Sequence, residues 1–126
     1  DLLKVLSMEP ENSDALNALG YTLADKTQRY QEAKEYIEKA MALVPDDPAI
    51  MDSLGWVNYR LGDLPEALKW LSMAFEKLVD AEIAAHFGEV LWQAGQKDKA
   101  RTVWQKGQEA GADHPVLIET LKRFKP

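Results

Sequence analysis

No cysteine occurs in this chain of 126 residues. Disulfides, thiol nucleophiles and thiolate metal sites are excluded together, while the compartment stays open, because a chain without thiols suits reducing and oxidising surroundings alike. Positive charge is in deficit: 15 Lys and Arg stand against 21 Asp and Glu, a formal net charge of −6. An acidic chain repels phosphate, and nucleic-acid binding normally shows itself as a basic face, so DNA and RNA are not expected as direct partners. No apolar run approaches the roughly 18 residues needed to cross a bilayer, so direct membrane insertion by this stretch is not expected. A Gly-rich phosphate loop, a nucleophile elbow and a zinc-protease signature are missing too, and the chain reads as a non-enzyme without a cofactor.

What is present is helical periodicity. Between Asp47 and Trp70 the sequence predicts two helices and a tight turn. Asp47 offers a capping acceptor and Pro48 suits the first helical position, which can spare its N–H. Gly62 ends that helix and Pro65 marks the first turn of the next, whose Leu64, Ala67, Leu68, Leu71 and Ala74 recur at three- and four-residue steps. Gly55 lies mid-helix, where it costs about 1 kcal/mol relative to Ala and so marks a close helix approach, with Ala67 and Ala74 small for the same purpose.

The hairpin recurs. Gly20, Gly55 and Gly88 are spaced 35 and 33, Ala33, Ala67 and Ala100 are spaced 34 and 33, and Ala40, Ala74 and Gly107 are spaced 34 and 33. Each of the three glycines follows an apolar residue, as Leu19-Gly20, Leu54-Gly55 and Phe87-Gly88. A period near 34 with these small-residue columns resembles the tetratricopeptide repeat (TPR). The resemblance implies an all-α, right-handed α-solenoid of helix hairpins with repeats at 13–47, 48–80 and 81–114. One residue of slack falls in the turn from Ala24 to Tyr30 and one is missing around Leu78-Val79-Asp80. Departures from the family pattern are Leu16, Met51 and Ala84 in place of an early aromatic, Val79 and Ala112 in place of a closing proline, and Asn58 where a large packing residue is usual.

Outside the three repeats, Val5 and Pro10 match the spacing of Ala40 and Pro45, so residues 1–12 read as the end of a preceding repeat in a longer protein. The start lacks a signal-peptide pattern. Ser13 is the expected cap of the first complete hairpin, and 115–126 is the expected C-terminal capping helix. His114 reads as a residue of the capping loop, and Trp70 and Trp104 as packing residues of second helices.

In the TPR family the first helices line a concave groove that receives a partner polypeptide. By register that groove would hold Asp14, Asn17, Tyr21, Ala24 and Asp25, then Asp52, Ser53, Trp56, Tyr59 and Arg60, then Glu82, Ala85, His86, Glu89, Trp92, Glu119 and Arg123. Tyr21, Trp56, Tyr59 and Trp92 form an aromatic track, at least two of them expected in solvent, with mainly acidic charges around them. A partner segment with Arg or Lys and apolar anchors is the expected fit, and Trp56→Ala and Trp92→Ala are expected to weaken binding with helicity nearly unchanged. Asn17, Tyr21, Ser53, Glu82 and His86 fall where co-chaperone TPR domains clamp a carboxylate, but Glu82 would repel it, so that clamp is not expected. Glu82, His86 and Glu89 share a helical face at metal-ligand spacing, yet no second-helix histidine completes a set, so they read as a solvated face and no metal site is assigned.

The wording of Asn17-Ala18-Leu19-Gly20-Tyr21 and Met51-Asp52-Ser53-Leu54-Gly55-Trp56 resembles the C-terminal repeats of proteobacterial outer-membrane TPR lipoproteins. That resemblance implies a periplasmic scaffold held by an upstream lipid anchor, with a carboxyl-terminal processing protease as partner and self-association open to exposed terminal repeats. The alternatives are a cytoplasmic assembly scaffold or the TPR region of an enzyme whose catalytic domain lies elsewhere.

Overall fold

The computed structural model describes residues 2–126. Asp1, part of the expected first segment, lies outside the described residues. Eight helices follow one another with no strand among the described residues: α1 (Leu2–Met8), α2 (Ser13–Lys26), α3 (Tyr30–Leu43), α4 (Pro48–Arg60), α5 (Leu64–Lys77), α6 (Ala81–Gln93), α7 (Lys97–Gly111) and α8 (Pro115–Phe124). Helices α2 and α3, α4 and α5, and α6 and α7 pair as hairpins, and each hairpin packs on the next to give an α-solenoid. Along one side α2, α4, α6 and α8 touch in sequence, with α8 beside α6 where a further first helix would stand.

Local chemistry sets the helix boundaries. Asp47 accepts from Ala49 N–H at 2.8 Å and Asp63 from Glu66 N–H at 3.1 Å, each supplying a helix start with a missing acceptor. Asp80 accepts from both Glu82 and Ile83 N–H at 2.6 and 3.1 Å. His114 caps α8 through Nδ1, which accepts from Val116 N–H at 3.2 Å. The expected cap at Ser13 is corrected: Asn12 is the cap, its Oδ1 accepting from Ala15 N–H at 2.9 Å, and Ser13 is already helical. Asn and Ser are equivalent caps, so residue type alone could not choose between neighbours. Accordingly Asn12→Ala should lower stability by about 1 kcal/mol while Ser13→Ala stays within about 0.5 kcal/mol, measured by urea unfolding.

Gly62 and Gly95 end α4 and α6 at φ of +88° and +86°, a left-handed turn that glycine adopts without a Cβ clash. The first hairpin has no such glycine. Its longer turn closes instead through Thr27, whose Oγ1 donates to Leu23 C=O at 2.6 Å and accepts from Arg29 N–H at 3.0 Å. Inside the hairpins the repeated glycines mark contact, as their period implies. A Cβ on Gly20 would lie 2.5 Å from Ile37 Cγ1 and 2.9 Å from Ala33 C=O, one on Gly55 would lie 2.6 Å from Leu71 Cγ, and one on Gly88 would strike the Trp104 indole.

Two apolar clusters fill the interior. Leu16, Ile37, Ile50 and Val57 centre the first, and Leu71, Leu91, Trp104 and Leu117 the second. Leu117 is fully buried, so α8 closes the end of the second cluster.

Candidate functional site

The aligned first helices leave a cavity of about 610 Å³ between α2, α4, α6 and α8. Of the residues assigned to the groove, Tyr21, Asp25, Trp56, Arg60, His86, Glu89, Glu119 and Arg123 meet at this cavity. Asp14, Asn17, Asp52, Tyr59, Glu82 and Trp92 do not line it, nor do the buried Ala24, Ser53 and Ala85. Asp14 is exposed, Asn17, Tyr59, Glu82 and Trp92 are half-buried, and Asp52 is buried. Lys26, Val116 and Thr120 line it although register did not single them out.

The aromatic track is corrected: none of its four residues is exposed, and Trp56 keeps only 5% of its surface. The reason is contact with side chains of the same and neighbouring helices. Trp56 stacks on His86 at 4.3 Å and meets Tyr59 at 5.1 Å. Trp92 leaves the track for a cluster with Trp104 at 5.7 Å and Phe124 at 6.0 Å, covered by Lys97 and Arg101. Trp56→Ala therefore removes packing as well as any binding contact, so weaker binding in that variant would not by itself report a contact with the partner.

The solvated-face reading is also corrected for His86 and Glu89, which are 2% and 5% exposed, while Glu82 is half-buried. His86 Nδ1 lies 2.9 and 3.1 Å from the two Asp52 oxygens, and its Nε2 lies 3.2 Å from the Tyr21 hydroxyl. One imidazole thus ties α2, α4 and α6 together. Because a carboxylate only accepts, Nδ1 donates to Asp52. Burial alone pulls the His86 pKa down, but the Asp52 charge and hydrogen bond, then Glu82 and Glu89, raise it and together prevail. Protonation of His86 is accordingly favoured by the Asp52 carboxylate beside it, against the burial of the ring.

Glu89 is engaged from two other directions. Tyr59 O–H donates to its Oε2 at 2.9 Å and Arg123 Nη2 donates to its Oε1 at 2.7 Å. Burial, then Glu89, pushes the Tyr59 phenol well above its ordinary range, and burial followed by Asp25, Glu82 and Asp52 does the same to Tyr21. Arg123 is raised by its hydrogen bond to Glu89, against some desolvation. Both phenols stay protonated, and Tyr59 is the donor to Glu89. Asn58, the residue out of pattern, is buried: Nδ2 donates to Leu54 C=O at 2.9 Å and Oδ1 accepts from Lys34 Nζ at 3.1 Å.

These pairings change the charge of the groove from the mainly acidic lining expected. Asp25 pairs with Lys26 at 3.3 Å and Glu119 with Arg123 at 2.8 Å, so the wall's acids are already answered from within. Asp52, Glu82 and His86 do bring three ligand atoms within 4.8 Å of one another. Both His86 nitrogens are engaged by Asp52 and Tyr21, however, and a metal would have to break one of those bonds. Glu82, raised chiefly by burial, stands 3.6 Å from His114 Nε2. The arrangement is a stiff, charge-balanced wall around an open cavity, suited to receiving side chains.

The tetratricopeptide repeat family model matches residues 11–78. TPR repeat-containing protein PA4667 of Pseudomonas aeruginosa is 53% identical over 124 residues, which cover 98% of this chain and 21% of that protein. Bacteriophage adsorption protein A of Escherichia coli is 37% identical over 78 residues, covering 62% of this chain and 8% of that protein. The chain thus spans a small part of these curated relatives. Among solved structures, TTC0263, a thermophilic TPR protein of Thermus thermophilus, superposes with a TM-score of 0.79 at 18% identity, covering 99% of this chain and 70% of that one. MamA superposes with a TM-score of 0.72 at 23% identity, covering 97% and 74%. These two likenesses show the fold.

Proposed function

Because the chain belongs to the tetratricopeptide repeat family, we propose that it is the protein-binding part of an adaptor and that its concave cavity takes a segment of a partner protein. The observation that carries this is the cavity itself: about 610 Å³ of open space on the side where four helices align, walled by side chains already locked by one another. A preorganised wall leaves most of the ordering cost to the partner. The volume lies within the usual 300–1,000 Å³ range of binding pockets and accommodates a few side chains of an extended segment. Each hairpin acts as one repeat, with boundaries at 13–47, 48–80 and 81–114.

The finer reading is a scaffold on the periplasmic side of the outer membrane that presents a carboxyl-terminal processing protease with its substrates. Its support is the likeness of the Leu19-Gly20 and Leu54-Gly55 segments to repeats of outer-membrane TPR lipoproteins. A relative named for bacteriophage adsorption, an event that begins at the cell surface, agrees with an envelope setting.

Val116, half-buried on the cavity rim, offers a direct test. In the full-length protein Val116→Arg should weaken binding of the purified protease at least about tenfold in titration calorimetry, with unchanged circular dichroism. Undiminished affinity would move the contact away from the groove. Cell fractionation should place the full-length protein with the outer membrane, and recovery in the cytosol would overturn the envelope setting.

A further inference from the structure

We infer that the cavity receives an acidic side chain, Asp or Glu, carried on an extended partner segment, and that Arg60 is the residue that meets it; this rests on the groove being the binding surface. The reason lies in which groups of the wall are engaged. Asp52 is held by His86, Glu89 by Tyr59 and Arg123, Glu119 by Arg123, and Asp25 by Lys26. A basic segment would therefore meet carboxylates that already carry an internal cation and would gain less from them than from unpaired acids.

Arg60 stands differently. It is exposed at the cavity, and no carboxylate pairs with it among the described residues. Its Nη2 donates to the Tyr30 hydroxyl at 3.1 Å and its guanidinium lies 5.4 Å from the centre of the Tyr30 ring. Those contacts orient the planar group while leaving most of its five N–H donors available, the condition under which an arginine grips a carboxylate with two parallel bonds. Trp56, one turn earlier on the same helix, lines the same cavity and buries an indole N–H that has no partner among the described residues. Asn17 Oδ1 also lacks a partner, but Asn17 does not line the cavity. The wall therefore has donors to spare, while each of its carboxylates already has a cationic partner. With a net charge of −6, the chain does not attract acidic segments from a distance, and recognition is confined to short range.

The test uses three bead-bound libraries of decapeptides with both ends blocked, randomised around a fixed central Glu, Gln or Lys. Blocked ends remove the terminal carboxylate as a source of binding. The chain should be retained about tenfold more by the Glu library than by the Lys library, the scale of one charge-assisted contact. Arg60→Glu should reverse the order, and Arg60→Ala should level it, with circular dichroism unchanged in both. A Lys preference in the natural chain, equal retention by all three that Val116→Arg abolishes, or a Glu preference that survives in Arg60→Glu overturns the inference and leaves the groove as the binding surface. Background retention by all three libraries overturns both.

Discussion

Asp52→Asn is expected to lower folding stability by about 3 kcal/mol, the low end for stripping one partner from a buried ion pair. The low end applies because His86 can shed its proton once its counterion is gone. The pair is buried, with His86 Nδ1 2.9 Å from Asp52, so solvent does little to replace the lost partner. The pH profile should change with it. His86 in the folded chain has a pKa above its ordinary 6.5, so above pH 6.5 the native state binds more protons than the unfolded chain and stability falls as pH rises. The stabilisation is complete below pH 6.5 and disappears as pH passes the folded value. The groups facing this imidazole are Tyr21 on α2, Asp52 on α4, and Glu82 and Glu89 on α6. Glu82 is raised above 4.5 and gives a fall of the same sign at lower pH. Urea unfolding across pH should show both falls in the natural chain. Asp52→Asn and His86→Gln should remove the upper one, and an unchanged upper slope would show that His86 is not the group.

Trp104→Ala is expected to cost more, about 4 kcal/mol, because an aromatic is removed from a site that cannot collapse. Trp104 is 1% exposed and sits between Gly88 on the preceding helix and the rings of Trp92 and Phe124, at 5.7 and 5.6 Å. Its indole N–H donates to Ala85 C=O at 3.4 Å, a bond lost with the ring. The complementary change adds volume instead. Gly88→Ala drives a Cβ into the same indole and should cost about 2 kcal/mol, net of the helix propensity that Ala gains. In Gly88→Ala/Trp104→Ala the cost of the added methyl should vanish, since the atom it struck is gone. Strict additivity in thermal or urea unfolding would contradict the packing described.

The parts of the fold fixed by local chemistry were readable from the chain. The glycine and alanine columns located the hairpins, and Asp47, Gly62 and Pro65 located ends of their helices, because a cap or turn acts within a few residues of itself. Ser13 was misassigned by one position for the same reason, since two equally good caps adjoin. The interior of the concave wall was much less legible. Reading Glu82, His86 and Glu89 along one helix put them in solvent, whereas burial comes from the neighbouring first helices. A signal was available: Asp52 and His86, and Glu89 and Arg123, are each 34 positions apart, one repeat period. Complementary groups displaced by one period on adjacent first helices are well placed to pair. Tyr21 and His86, 65 apart, lie across two repeats, a contact no single period would suggest.

The loss of acidity in the groove follows from the same pairs. Counting acids by register gave a basic partner. Counting which charges are already paired leaves Arg60, oriented by Tyr30, as a cation at the cavity with no carboxylate partner among the described residues.

Amide hydrogen-exchange footprinting of the full-length protein with its purified partner tests the groove most directly. Protection confined to the rim of the cavity, around Lys26, Arg60 and Val116 through Arg123, is the expected result. Protection on α3, α5 and α7 with that rim unchanged would contradict it.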